Sequence, residues 1–224
     1  MSVSVTDERL FVYGASGHGK VVADILLAGG LTVDGFIDDA PPSAEPRLVL
    51  GLPVVGNSAW LYERAREGRV AVALGIGSNR VRARIAAVCR ERGVRLVTAV
   101  HPSAILSRFA TVGEGAVVMA GAAINPGASV GEGAIVNTGV VLEHDVVVGD
   151  YGHLSANAAT GGAASLGRFS HLGLGGVILP GIRVGDHTVV GAGAVVVRDL
   201  PDRVVALGVP ARIHRRLSEE ETSP

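Results

Sequence analysis

The sequence predicts a chain of two unlike parts, a small parallel α/β sheet followed by a parallel β-helix. Three observations carry that expectation. Residues 10–100 alternate short apolar runs with helical stretches, the hydrophobic period becomes six from Leu106 onward, and an aliphatic-Gly pair recurs every eighteen residues.

In the first part, "LFVYG" (10–14) is a short apolar strand, and "GASGHG" (14–19) is a glycine turn entering the helical run "KVVADILLAGG". "VDGFIDD" is a second strand ending in Asp38 and Asp39. Asn57 and Ser58 open the helix "NSAWLYERAREG" with a cap signal, and Gly68 closes it. "VAVALGIGSN" is another buried strand and glycine turn, followed by the helix "RVRARIAAVCRERG" and the strand "RLVTAV". Alternation at this pitch indicates parallel strands covered by helices.

In the second part, stepping by six from Leu106 to Val196 meets sixteen positions, and only Thr160 is not aliphatic. Four residues after these positions the side chain is usually small, as at Ala116, Ala122, Ala134 and Ala158. The pairs Val112-Gly113, Val130-Gly131, Val148-Gly149, Leu166-Gly167 and Val184-Gly185 mark an eighteen-residue coil of three flat sides. Equivalent corners then stack at about 4.8 Å, giving a little over five coils and a prism roughly 25 Å tall. The spacing leaves the hand of the coil open. The expected division is residues 1–104 and 105–224.

Composition narrows the partners. The chain has 20 basic and 21 acidic residues and no block of like charge, which argues against nucleic acid. One cysteine, Cys89, excludes an internal disulfide and is expected to be buried. The start "MSVSVTDERL" carries charges where a leader has its apolar core, and no apolar run approaches the roughly 18 residues of a membrane span. A soluble, cytoplasmic protein with no membrane partner is expected. Charged residues are only 18% of the chain, and between Leu106 and Val197 the cations are Arg108, Arg168 and Arg183. Three flat faces so poor in charge predict a homotrimer with active sites between subunits.

The aliphatic ladder is fully explained as structure, but the triplet Glu143-His144-Asp145 within it is not, nor is His153 nine residues later. The hexad run resembles the left-handed β-helix of hexapeptide-repeat acyltransferases, as does the ending "VVRDLPDRVVALGVPAR" (196–212). Together with "YGASGHG" and "NTGVVLEHDVVVGDYGHLS", the chain from Phe11 to about Arg212 resembles a narrower group. That group is the sugar acyltransferases that include sialic acid O-acetyltransferases and nucleotide-4-amino-sugar N-acetyltransferases.

The resemblance implies a Rossmann-like N-terminal domain that binds a nucleotide sugar and a β-helix that binds acetyl-CoA, with no metal. It makes His144 the general base, Asp145 the residue that raises its basicity, and Asn137 a close neighbour of the base. His153 contacts the thioester end of acetyl-CoA, and Gly162, Leu174 and Ala192 complete the CoA side. Ser16, Gly17 and His18 hold the sugar nucleotide's phosphates, Asp38 and Asp39 the sugar or base, and Gly77 closes the floor. The implied reaction moves acetyl from acetyl-CoA to the amine of a nucleotide-linked 4-amino-4,6-dideoxy sugar.

General chemistry supports these roles. An amine attacking a thioester must lose a proton, which imidazole with an ordinary pKa near 6.5 accepts at neutral pH. A carboxylate on the far ring nitrogen fixes the tautomer. The oxyanion needs a donor, worth about 3 kcal/mol, for which His153, Gly161 and Gly162 are the nearest candidates. Several alternatives stay open: Glu143 as the partner of His144, O-acetylation of a sialic-acid-type sugar, a non-catalytic nucleotide-sugar-binding scaffold, and His18 as a simple helix cap. The nucleotide (UDP, dTDP or GDP) and the sugar are not fixed by the sequence. His171, eighteen residues after His153, is expected to stack on it as a structural ladder. A zinc site lacks a third ligand. A dehydrogenase reading rests only on Asp38, about twenty residues after a glycine turn that is not G-x-G-x-x-G.

Overall fold

A computed structural model describes residues 8–40 and 47–222; the first seven residues, where a leader would start, lie outside the described residues. The first part is a six-stranded sheet. Its elements are β1 (Arg9–Tyr13), α1 (Gly17–Ala28), β2 (Gly35–Ile37), β3 (Leu48–Val49), β4 (Leu52–Gly56), α2 (Ser58–Glu67), β5 (Val70–Leu74), α3 (Asn79–Glu91) and β6 (Arg95–Leu96). The strand order is β3-β4-β2-β1-β5-β6, parallel except for the β3–β4 hairpin at the edge. That hairpin is a departure from the sequence reading. Its turn puts both Leu50 (φ 52) and Gly51 (φ 76) in the left-handed region, as a two-residue hairpin of this type requires, but without the usual Asn-Gly or Asp-Gly signal.

The run "RLVTAV" is not one strand. Arg95–Leu96 completes the α/β sheet, while Ala99–Val100 is the first strand of the coil and pairs in parallel with Val117–Val118. The ladder therefore starts one hexad before Leu106. Beyond it the chain forms a left-handed β-helix of two-residue strands on three sheets. The first face carries the strands beginning at Ala99, Val117, Ile135, His153, His171 and Val189. The second carries those beginning at Ile105, Ala123, Val141, Ala159, Val177 and Val195, and the third those at Thr111, Ser129, Val147, Ser165 and Arg183. The sixfold aliphatic positions fill the interior, with Val118, Val136, Leu142, Leu154, Leu172, Ile178, Val190 and Val196 buried to 0% exposure. Thr160 is tolerated among them because its hydroxyl donates to the Val141 carbonyl at 3.4 Å.

From Gly115 to Gly193 each corner is turned by one residue in the left-handed conformation. Glycine takes this place at Gly115, Gly121, Gly127, Gly133 and Gly139, but Asp145, Tyr151, Asn157, Ala163, Phe169 and His187 take it with φ between 54 and 59°. Each such non-glycine residue costs about 1–2 kcal/mol relative to an unstrained site. Tolerated strain of this kind gathers at functional places, and here it surrounds the His144 and His153 coils.

The three faces are not equivalent. On the first, the outward residues Ala99, Val117 and Ile135 are buried in a core shared with Val12, Ala15 and Val22 of the α/β domain. The chain's own N-terminal domain thus covers the lower coils of this face. On the second face the outward residues are all apolar, and Ile105 is 71% exposed. On the third they are mostly polar. Cys89 is buried in the α/β core, where burial pushes its thiol up to about 12. Among the described residues no helix is long and apolar enough to cross a membrane.

Candidate active site

His144 stands at the corner between the second and third faces, after the strand Val141–Leu142. Its Nδ1 is 2.9 Å from Asp145 Oδ2, and both side chains are about two-thirds exposed. The carboxylate that reaches the ring is therefore Asp145's, held in place by its left-handed backbone. The other edge of the ring lies over Gly162, one coil further on. A Cβ at 162 would lie 2.5 Å from His144 Cε1 and closer still to Nε2, so only glycine leaves room for the imidazole.

Asn137 and His153 occupy the first face. Within one chain Asn137 is beside His153 and not beside His144: its Nδ2 is 3.3 Å from His153 Nε2, and its Oδ1 accepts from Thr138 N at 2.8 Å. His153 stacks on His171 with ring centroids 4.8 Å apart, as the eighteen-residue step predicts. The His171 Nε2 is 2.7 Å from Ser155 Oγ. Burial, with the nearby His171 and Arg82, lowers the His153 pKa to about 3, and burial lowers that of His171 as well. These rings are neutral throughout the physiological range. Leu174 and Ala192 lie in one column at the corner between the first and second faces, one side of the coil away from His144. The Gly161 amide already donates to Ile178 O at 2.8 Å, which removes it as an oxyanion donor. His144 stands at a corner and His153 on the first face, so these two imidazoles do not meet within one chain. Among the described residues no group of three or more His, Cys, Asp or Glu is placed to hold a metal.

The α/β domain carries the residues expected to hold the sugar nucleotide. Ser16 precedes α1 without capping it through its side chain, so the first amides of the helix stay open, a ready anion site. Gly19 lets α1 press on the turn, since a side chain there would collide with the Gly14 carbonyl. Asp38 and Asp39 line a cavity of about 470 Å³ with Tyr13, Ser58 and Tyr62. Both also hold the fold together. Asp38 accepts from Ala15 N at 3.0 Å, and Asp39 accepts from Tyr13 Oη at 2.6 Å and Ser58 N at 2.8 Å. Burial raises the Asp39 pKa, but the bonds from Tyr13 and Ser58 outweigh it and the net shift is downward. Gly77 lines a different cavity, of about 370 Å³, together with Asn79, His153, Phe169, His171 and His187. His18 does not open toward the solvent beside Gly17; its ring is largely buried near His153 and Arg82.

Two features were not anticipated from the sequence. Arg82 of α3 is fully buried and uses all five N–H groups, donating to the carbonyls of Gly133, Ile76, Gly77 and Tyr151 and to Asn79 Oδ1 at 2.6–3.1 Å. It ties the Gly77 loop to the coil, and burial lowers its pKa to about 9. The second is a ring column, with Phe169 stacked between Tyr151 (5.4 Å) and His187 (4.9 Å). Its members follow the same eighteen-residue step, so counting aromatic as well as aliphatic residues would have found it.

Residues 9–88 match the family model of the PglD N-terminal domain. Over 95% of this chain and 100% of the other, at 42% identity and a TM-score of 0.89, the protein is similar to a mutant of perosamine N-acetyltransferase from Caulobacter crescentus, solved with CoA and GDP-perosamine. Over 92% of this chain and 98% of the other, at 34% identity and a TM-score of 0.84, it is similar to the acetyltransferase domain of PglB from Neisseria gonorrhoeae, solved with acetyl coenzyme A. Galactoside O-acetyltransferase of Escherichia coli is 46% identical over only 44 residues, so the chain spans about a fifth of that curated relative (22%). A hexad coil bearing an exposed His–Asp pair beside an α/β domain defines a hexapeptide-repeat acyltransferase. The chain belongs to the nucleotide-sugar acyltransferases of that family.

Proposed function

We propose that the protein transfers acetyl from acetyl-CoA to the 4-amino group of a nucleotide-linked 4-amino-4,6-dideoxy sugar, in the cytoplasm and as a homotrimer. The observation that carries this reading is the His144–Asp145 pair on an exposed corner, in a chain similar over its length to an enzyme solved with CoA and GDP-perosamine. The amine nitrogen attacks the thioester carbonyl while His144 Nε2 takes its proton, with Asp145 at Nδ1 stabilising the imidazolium. Collapse of the tetrahedral intermediate expels the CoA thiolate, and the imidazolium returns the proton to sulfur.

Within one chain Gly162 lies under His144, whereas His153 stands on the first face and Leu174 and Ala192 at the corner between the first and second faces. A second subunit, docked through the apolar second face, brings one chain's His144 to its neighbour's Asn137, His153, Leu174 and Ala192. Ser16 and Gly17 take the phosphates at the α1 N-terminus, Asp38 and Asp39 the sugar or base, and Gly77 the floor. O-acetylation has less support, because the O-acetyltransferase match is confined to 44 residues. The test is thiol release from acetyl-CoA with GDP-, dTDP- and UDP-linked 4-amino sugars, GDP-perosamine first, each beside its 4-hydroxy counterpart. Turnover of the hydroxy sugars alone, or of none, overturns the reading.

A further inference from the structure

Stepping by eighteen along the corner that carries His144 gives Arg108, Pro126, His144, Gly162, Pro180 and Arg198. These corners stack, since Ala163 N donates to the His144 carbonyl at 2.8 Å and Gly181 N to the Gly162 carbonyl at 2.9 Å. The second face keeps that register through its last strand, where Val177–Ile178 pairs with Val195–Val196. Arg198 follows Val196 by two residues, as His144 follows Leu142, and like His144 it is exposed. Between the imidazole and the guanidinium the corner presents only Gly162, Ala163, Pro180 and Gly181. A smooth trough two coils long thus separates a base below from a cation above. Among the described residues Arg198 has no hydrogen bond or ion pair, and the adjacent Asp199 carboxylate is taken up by the Arg183 amide at 2.9 Å.

Three coils at about 4.8 Å each put Arg198 about 14 Å above His144. The arm of CoA from sulfur to diphosphate is about thirteen bonds long, a little more than four extended residues, or about 15 Å. Resting on the acetyl transfer proposed above, we infer that Arg198 binds the diphosphate of CoA, with the small corner residues between it and His144 forming the floor under the pantetheine arm. Arg108, at the other end of the corner, is only two coils from His144, about 10 Å, and its guanidinium lies over the Phe109 ring at 4.7 Å. In the proposed trimer the neighbour's Leu174 and Ala192 form the opposite wall over the same coils, because in chain order Leu174 falls between Gly162 and Pro180, and Ala192 between Pro180 and Arg198.

The test uses the full-length protein with Arg198→Ala and Arg198→Lys, titrated calorimetrically with CoA and with 3′-dephospho-CoA. Arg198→Ala weakens both ligands about tenfold, the lower end for a charge-assisted hydrogen bond because the guanidinium is exposed, and leaves the Tm of the free protein unchanged. Arg198→Lys, which keeps the charge without the planar fork, recovers part of the loss. Raising the salt concentration weakens CoA binding by the wild type more than by Arg198→Ala. Unchanged CoA affinity in Arg198→Ala overturns the assignment, and so does a loss confined to CoA, which would place the contact at the 3′-phosphate. Calorimetry reads CoA binding whether or not acetyl is transferred. A wild type that binds CoA without turning over any amino sugar therefore defeats the underlying reaction, while the Arg198 variants still decide this inference.

Discussion

Gly162→Ala separates catalysis from stability at the His144 corner. Ordinary contact begins near 3.4 Å, and the new methyl would stand 2.5 Å from His144 Cε1, so the ring must retreat by at least 3.4 − 2.5 = 0.9 Å. An imidazole about two-thirds exposed has room to swing outward, so the fold is not forced to expand. Gly162 is not one of the left-handed corner residues, and alanine fits its backbone. A compatible Gly→Ala exchange favours the folded state by about 0.4–1 kcal/mol. A displacement near 1 Å at a reacting group costs about a hundredfold in rate. The expected result is a Tm equal to or above wild type, with kcat down about a hundredfold and both KM values little changed. Thermal unfolding and initial rates at saturating substrates measure it. A folded variant retaining more than a third of wild-type kcat would show that the imidazole resting over Gly162 is not in its working position.

Other outcomes follow from the same geometry. His144→Ala lowers kcat by about two to four orders of magnitude, the range for a lost general base, without weakening acetyl-CoA binding. Asp145→Asn is milder, and more than a tenth of wild-type kcat in His144→Ala would refute the base. Light scattering at micromolar concentration gives about three times the 22.8 kDa chain mass. Mixing His144→Ala with Leu174→Arg subunits restores activity, whereas a fully active monomer would exclude a shared site. Acid lowers stability: His153 titrates near 3 and His18 near 4 when folded but near 6.5 when unfolded, so between those limits the unfolded chain binds more protons and stability is lost as the pH drops. At pH 5 this amounts to roughly 2 kcal/mol per imidazole. A Tm constant from pH 7.5 to 5 would contradict it, and His18→Leu should flatten the slope.

The coil was legible because each side of a turn must bury one residue in six, and no insertion disturbs that count between Leu106 and Val196. The His144–Asp145 pair stood out because charge is rare in such a run. Arg82 did not, since an arginine on an amphipathic helix reads as a solvated surface group. Its role depends on carbonyls of Gly133 and Tyr151, about 50 and 70 residues away, that no local pattern reveals. The direction of the His18 ring was hidden for the same reason, because it is set by the fit of α1 on the first face. Asp38 and Asp39 appeared as ligands for substrate, whereas the fold also uses them to hold the Ala15 and Ser58 amides. One side chain can meet both demands, and sequence alone does not separate them.

Between the last strand of the α/β sheet and the first strand of the coil stand only Val97 and Thr98, and Val97 is itself part of the shared apolar core. A junction of that kind gives no hinge. The α/β domain is riveted to the coil, so the distance from the proposed nucleotide end to the proposed thioester end at His153 is a fixed length, like that of a ruler. An acceptor shorter or longer than a diphosphate-linked hexose would place its reactive nitrogen off the mark, whatever its affinity, and selectivity for the activated sugar would emerge as a matter of reach.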